Sequence, residues 1–266
     1  MSAIFDPILG KLKKRDPDII SLSKKIETLL SKDGSNYEGG LALVTPTITS
    51  SWIIFDKSGN QIKTNKANAL SVEHGASVNY TGSFKYSAPN SSQKAPSRCD
   101  GAFGTKLPTA GNPCQDISSD NITSNKTFTA NLYANKGGLE VSGNKVVRAT
   151  GEDKTSASAS VTFCHRRYYG VSADINQSVT SLTTTELITT RGKTITFDCS
   201  GGKYFFIAYP TALGKATFNI GGLTVGIDPT TTTITNEYGL EVEYYVYRSA
   251  DLQTGSAIKV IISQYG

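Results

Sequence analysis

Few residues in this chain are able to do chemistry. Two histidines, His74 and His165, and four cysteines, Cys99, Cys114, Cys164 and Cys199, are spread over 266 residues. Nucleophilic catalysis needs a base held by a third group, and no Gly-x-Ser-x-Gly turn is present to expose a serine. No Cys-x-x-Cys pair occurs, which argues against a zinc ribbon or a thiol-redox motif. Cys164 and His165 are adjacent, so in a strand they point to opposite faces and cannot chelate together. Cys99, Cys114 and His165 offer a metal site only on paper. Cys99 and Cys114 bracket "DGAFGTKLPTAGNP", a Gly/Pro-rich loop that a disulfide would staple. In a reducing cytosol the same two residues would be free thiols, and both readings stand. Cys199 ends an apparent strand and suits a buried position. Asp100, Asp116, Asp120, Glu140 and Glu152 lie in or near loops, where a glycoside-cleaving pair of carboxylates would sit. No phosphate-cradling loop is present. These residues predict no enzyme, no cofactor and no metal.

The elements that must position these residues are mostly strands. Thr, Ser and Tyr are dense, as in "TSLTTTELITT" and "DPTTTTIT", and Thr and Tyr suit a half-buried pleated surface. The exception is the start. In "DPDIISLSKKIETLL", Ile19, Leu22, Ile26 and Leu29 follow a helical spacing, with Asp16 and Pro17 at the first turn. Phe5, Ile8, Leu9 and Leu12 form a second small apolar face. Residues 1–32 therefore read as a helical anchor or oligomerisation segment, too short to hold a coiled coil alone. Residues 33–40, within "SKDGSNYEGG", read as a linker.

Beyond the linker the period changes to two. "LALVTPTI", "SWIIFDKSGNQI" and "ALSVEHGASVNYTGSFKYS" alternate as strands and turns. Residues 88–126, rich in Ser, Asn, Pro and Gly, read as a long surface excursion. "KTFTANLYAN", "KVVRAT" and "SASASVTFCHRR" follow. Short strands at this spacing predict an antiparallel β-sandwich over 41–166. A second β-sandwich is predicted over 167–266, from "GKTITFDC", "KYFFIAYP", "ATFNIGG", "LTVGID", "GLEVEYYVYRS" and "SAIKVIIS". The segment "NQSVTSLTTTELI" reads as a short helix or irregular chain. In "LEVEYYVY", Leu240, Val242, Tyr244 and Val246 make an apolar face. Glu241, Glu243, Tyr245 and Tyr247 suit a side facing solvent or a partner.

"KYFFIAYP" could be a stacking platform for a ligand or the middle of a core. Its two alternating sets, Tyr204, Phe206, Ala208 and Phe205, Ile207, Tyr209, are both apolar. That predicts a central strand covered on both faces and ended by Pro210. Stacking aromatics usually lie in loops or on an open face instead.

Net charge is +5, with much of the excess in "GKLKKRDPDIISLSKKIETLLSK". No cluster of arginines and aromatics marks one face, so nucleic acid is not an expected partner. The opening lacks the apolar run of a signal peptide, and no stretch approaches the ~20 apolar residues that span a bilayer. The expectation is a chain made in the cytosol with no membrane partner.

Three stretches, "FCHRRYYGVSADI", "ELITTRGKTITFDCSGGKYFFIAYPTALGKATFNIGG" and "NEYGLEVEYYVYRSADLQTGSAIKVII", resemble a module found in structural proteins of tailed bacteriophages. The upstream stretch "VEHGASVNYTGSFKYS", with "TFTANLYA" and "SASASVTF", is similar to the Ig-like β module that often precedes it. The resemblance spans about residues 70–266. It implies a mainly β chain of two antiparallel Ig-like sandwiches, which the N-terminal helical segment read from the residue spacing would precede. It also implies a non-enzymatic virion component of the tail, baseplate, neck or fibre attachment, assembled in the host cytoplasm. Its partners would be other virion proteins and copies of itself, a trimer among the options. The apolar faces of the N-terminal segment, Phe5, Ile8, Leu9, Leu12, Ile19, Leu22, Ile26 and Leu29, are the residues expected to dock it. A receptor- or glycan-binding adhesin module of a tail fibre is the alternative. The Cys-containing excursion and the helical start depart from a simple version of the module.

Overall fold

Alternation sets the first layer. In Thr47–Phe55 every second residue is buried, from Ile48 through Trp52 to Ile54. The computed structural model describes residues 41–265, apart from positions 115, 138, 143, 144, 183 and 191. The helical segment expected over 1–32, its eight apolar anchor residues and the linker lie outside the described residues.

The chain is mainly β. Sheet one has the antiparallel order Gln61–Asn65, Thr47–Phe55, Ser77–Lys85, Ile117–Ile122. Sheet two has the order Ala69–Glu73, Glu152–Cys164, Lys126–Asn135, Arg98–Gly101. Its first pair is parallel and the others antiparallel, so the purely antiparallel expectation needs correction. The cause is a crossing: the chain leaves the edge of sheet one after Asn65, adds Ala69–Glu73 to the edge of sheet two, then returns to sheet one at Ser77. Both sheets feed one apolar cluster, in which the Tyr80 ring stacks on Phe128 at 4.2 Å and meets Trp52 at 4.3 Å. The Trp52 indole N–H donates to the Ala67 carbonyl at 2.8 Å, so its polar edge is satisfied in the interior.

The excursion over 88–126 is not a purely surface feature. It lays an edge strand on each sheet, Arg98–Gly101 and Ile117–Ile122, and buries Cys99, Phe103 and Cys114.

Sheet three has the antiparallel order Thr184–Leu187, Arg166–Ser172, Tyr204–Pro210, Glu241–Arg248, Thr230–Thr235. Sheet four has the order Lys193–Phe197, Ile258–Tyr265, Ala216–Ile220, Leu223–Val225. Tyr204–Pro210 is the central strand of sheet three, as its two apolar faces predicted. Phe205, Ile207 and Tyr209 enter the cluster shared with sheet four. Phe206 and Ala208 enter a cluster on the other side, closed by Val179 and Leu182. The segment carrying those two holds a single 3-10 turn, Val179–Ser181, and leads into Thr184–Leu187. Tyr247 is fully buried in the cluster shared with sheet four, and Tyr245 packs against it. The face expected to meet solvent or a partner therefore faces the interior at those two positions. Tyr209 Oη donates to Tyr247 Oη at 2.8 Å, and Tyr247 Oη accepts the Ala216 N–H at 3.1 Å, which removes the polar cost of burying both rings.

Candidate functional site

Glu73 closes the edge strand of sheet two, and Arg166 opens the second strand of sheet three. His165 is the single residue between the two β units along the chain. Arg166 Nε donates to Glu73 Oε2 at 2.7 Å, Nη2 to Glu237 Oε1 at 3.4 Å and Nη1 to Thr185 Oγ1 at 3.0 Å. Glu73 is only 2% exposed, so losing this partner would leave a buried carboxylate without a counter-charge.

The second contact is the turn after Thr230–Thr235. Asn236 Oδ1 accepts the backbone N–H groups of Tyr238 and Leu240, both at 3.0 Å, which folds the turn. Its amide then donates to the His74 carbonyl at 2.7 Å. Tyr238 belongs to the apolar cluster of the first unit, and its carbonyl accepts the Lys57 N–H at 3.0 Å. Burial raises its phenol pKa above the usual value. Gly75 lets the two segments approach: its φ is +98°, and a Cβ there would stand 2.6 Å from Leu240 Cβ.

The two histidines meet at this joint. Their ring centroids are 4.5 Å apart, and His74 lies 6.1 Å from Phe163. Burial lowers both pKa values; His74 lowers His165 further, and Glu73 partly offsets the effect on His74. Beside them is a cavity of about 190 Å³ bordered by Cys164, Ile188, Thr190 and Leu213. Two neutral imidazoles could relay a proton, yet the nearby Cys164 thiol is buried and its pKa is raised by that burial. A thiol held protonated is a poor nucleophile. The chemistry this arrangement does best is attachment: ion pairing, side-chain capping and ring packing between two β units.

Of the residues singled out by type, Cys99 and Cys114 are brought together as free thiols against one turn. Asp100 and Glu152 are also brought together, both on Arg98, with Glu152 Oε1 accepting from Arg98 Nε at 2.9 Å. Asp100 further accepts from Asn131 at 2.7 Å and Tyr133 at 3.2 Å. The Asn131 hydrogen bond for Asp100, and the Arg98 hydrogen bond for Glu152, hold both carboxyls below the usual carboxylate range. Neither suits the protonated acid of a glycosidase. Asp116 and Asp120 lie at exposed positions apart from that network. His165 sits with His74 rather than with Cys99 and Cys114. Among the described residues, no group of three or more His, Cys, Asp and Glu is placed to hold a metal ion. No helix among them is long and apolar enough to cross a membrane.

Sequence reasoning missed the joint. Glu73, Arg166 and Glu237 are ordinary surface charges by type, and only tertiary structure juxtaposes them. It also missed a cleft of about 610 Å³ on the outer side of sheet three. Its floor includes Phe206, Ile234 and Val246, and its rim includes Asn176, Thr230 and Arg248. Comparison of the chain with family models, curated proteins and solved structures returned no match.

Proposed function

We propose that this chain is a non-enzymatic structural component of a tailed-bacteriophage particle, in its tail, baseplate, neck or fibre attachment. Two Ig-like sandwiches form its body, and residues 1–32 dock it to other virion proteins or to copies of itself. The observation that carries this reading is the joint, where Arg166 ties Glu73 to Glu237 while Tyr238 enters the core of the first unit. A protein that works by shape and attachment needs its two bodies held in one orientation, and a buried, multiply bonded joint provides that. The motif resemblance over about 70–266 adds the particle context. Assembly takes place in the host cytoplasm, and the protein works in the virion without nucleic acid or membrane as partners.

Incorporation tests the reading. Particles made with a chain lacking residues 1–32 should lose this protein, while particles made with the full chain should retain it. Normal incorporation of the shortened chain would refute the anchoring role.

The cleft on sheet three favours a second reading, a receptor- or glycan-binding adhesin. Hydroxyl and amide groups over an apolar floor suit a sugar. Binding of isolated protein to host cells or a glycan array would select that alternative.

A further inference from the structure

Cys99 and Cys114 reach one place from the two sheets of the first unit. Cys99 lies on the edge strand Arg98–Gly101 of sheet two, in register with Leu132. Cys114 donates its backbone N–H to the Phe84 carbonyl at 2.6 Å, at the end of a sheet-one strand. The Cys99 thiol stands 3.8 Å from the Gly104 carbonyl and the Cys114 thiol 3.7 Å from the Phe103 carbonyl, consecutive groups of one turn. Cys114 also lies 3.3 Å from the Lys106 carbonyl. Both cysteines and Phe103 belong to the same buried cluster. Cys164 and Cys199 lie elsewhere, at the joint and in the cluster between sheets three and four.

We propose that Cys99 and Cys114 are an oxidisable pair, carried as two thiols during synthesis and closed to a disulfide on meeting a small-molecule disulfide. The bond would join an edge of sheet two to sheet one and close the loop over 100–113, a post-assembly staple. Release of a particle from its host supplies the oxidising encounter, so the timing rests on the particle reading, whereas the bond-forming chemistry does not.

Cys114, the more accessible of the two, gives up its thiol proton and attacks one sulfur of the oxidant. The S–S bond of the oxidant breaks, and one thiolate leaves. Burial and the nearby Cys114 raise the Cys99 pKa, so Cys99 is the slower thiol and acts second, where its attack is intramolecular and closeness offsets its weak nucleophilicity. Its thiolate attacks the Cys114 sulfur of the mixed disulfide and expels the second thiolate. Two protein thiols are oxidised, one disulfide is reduced to two thiols, and the two protons pass to the departing thiolates.

The test uses the purified full chain, incubated with oxidised glutathione, blocked with iodoacetamide and mapped by mass spectrometry without reduction. The expected product is one Cys99–Cys114 cross-linked peptide, with the thiol count in denaturant falling from the four free cysteines to two. The Tm should rise by about 6–12 °C and fall back on reduction with dithiothreitol. A C114S variant should show neither the cross-link nor the rise. Four thiols remaining, a mixed glutathione adduct alone, or bonds to Cys164, Cys199 or a second molecule would overturn the proposal. Presence in particles is measured separately, so failure of the particle reading leaves this outcome unaffected.

Discussion

Arg166 Nε and Glu73 Oε2 are 2.7 Å apart across the joint of two β units, and the carboxylate has almost no other access to water. A charge so placed is stable only while its partner remains. Replacing Arg166 by Met should therefore destabilise the protein by about 3–5 kcal/mol, whereas the double change with Glu73→Gln should recover part of that loss. Denaturant unfolding measures both. Additive costs in the double-mutant cycle would mean the pair is not coupled.

Acid should loosen the same joint. Unfolded histidine takes up its proton near pH 6.5, whereas His74 and His165 are held below that value by burial. Between those values the unfolded chain binds more protons, so stability is full above the unfolded pKa and falls as pH drops. The groups around the pair are Glu73, Arg166, Glu237 and Cys164, with the carboxylate of Glu73 working against the shift of His74. Tm should decline from pH 7 to 5.5, and His165→Asn should flatten the decline. An unchanged slope in that variant would assign the effect to other groups.

Gly75→Ala should separate the units. The positive φ disfavours any side chain, and Leu240 Cβ occupies the space. A loss of about 1–3 kcal/mol, together with faster protease cleavage near residues 73–76 or 236–240, is expected. Wild-type stability and protection would show that the contact gives way without cost.

Tyr247→Phe removes the acceptor for the Ala216 N–H and for the Tyr209 hydroxyl inside the second unit. Leaving the buried Ala216 N–H without its acceptor should cost about 1–3 kcal/mol, read from the denaturation midpoint. A change below about 0.5 kcal/mol would mean that water replaces the hydroxyl.

Much of this architecture is visible in the residue pattern where alternation is strong. Thr47–Phe55 and Lys126–Asn135 carry their burial in that alternation, and Tyr204–Pro210 carries it as an unbroken apolar run covered on both faces. Thr230–Thr235 escaped detection because Ile234 is its only apolar residue, so no period of two appears. The strands inside the 88–126 excursion were hidden the same way, with Ile117 and Ile122 separated by polar residues. Tyr245 and Tyr247 were misread because the glutamates preceding them suggested a wet face, whereas sheet four covers the strand further along. The joint was illegible for a different reason. A local pattern reports which face of a strand is apolar, and it carries no information on whether Glu73 will meet Arg166 or His74 will meet His165.

Mass spectrometry of gradient-purified particles tests the central claim most directly. Peptides of this chain should persist through a high-salt wash at a fixed ratio to the major structural proteins. Their absence from washed particles, with the protein left free in the lysate, would contradict a role as a virion component.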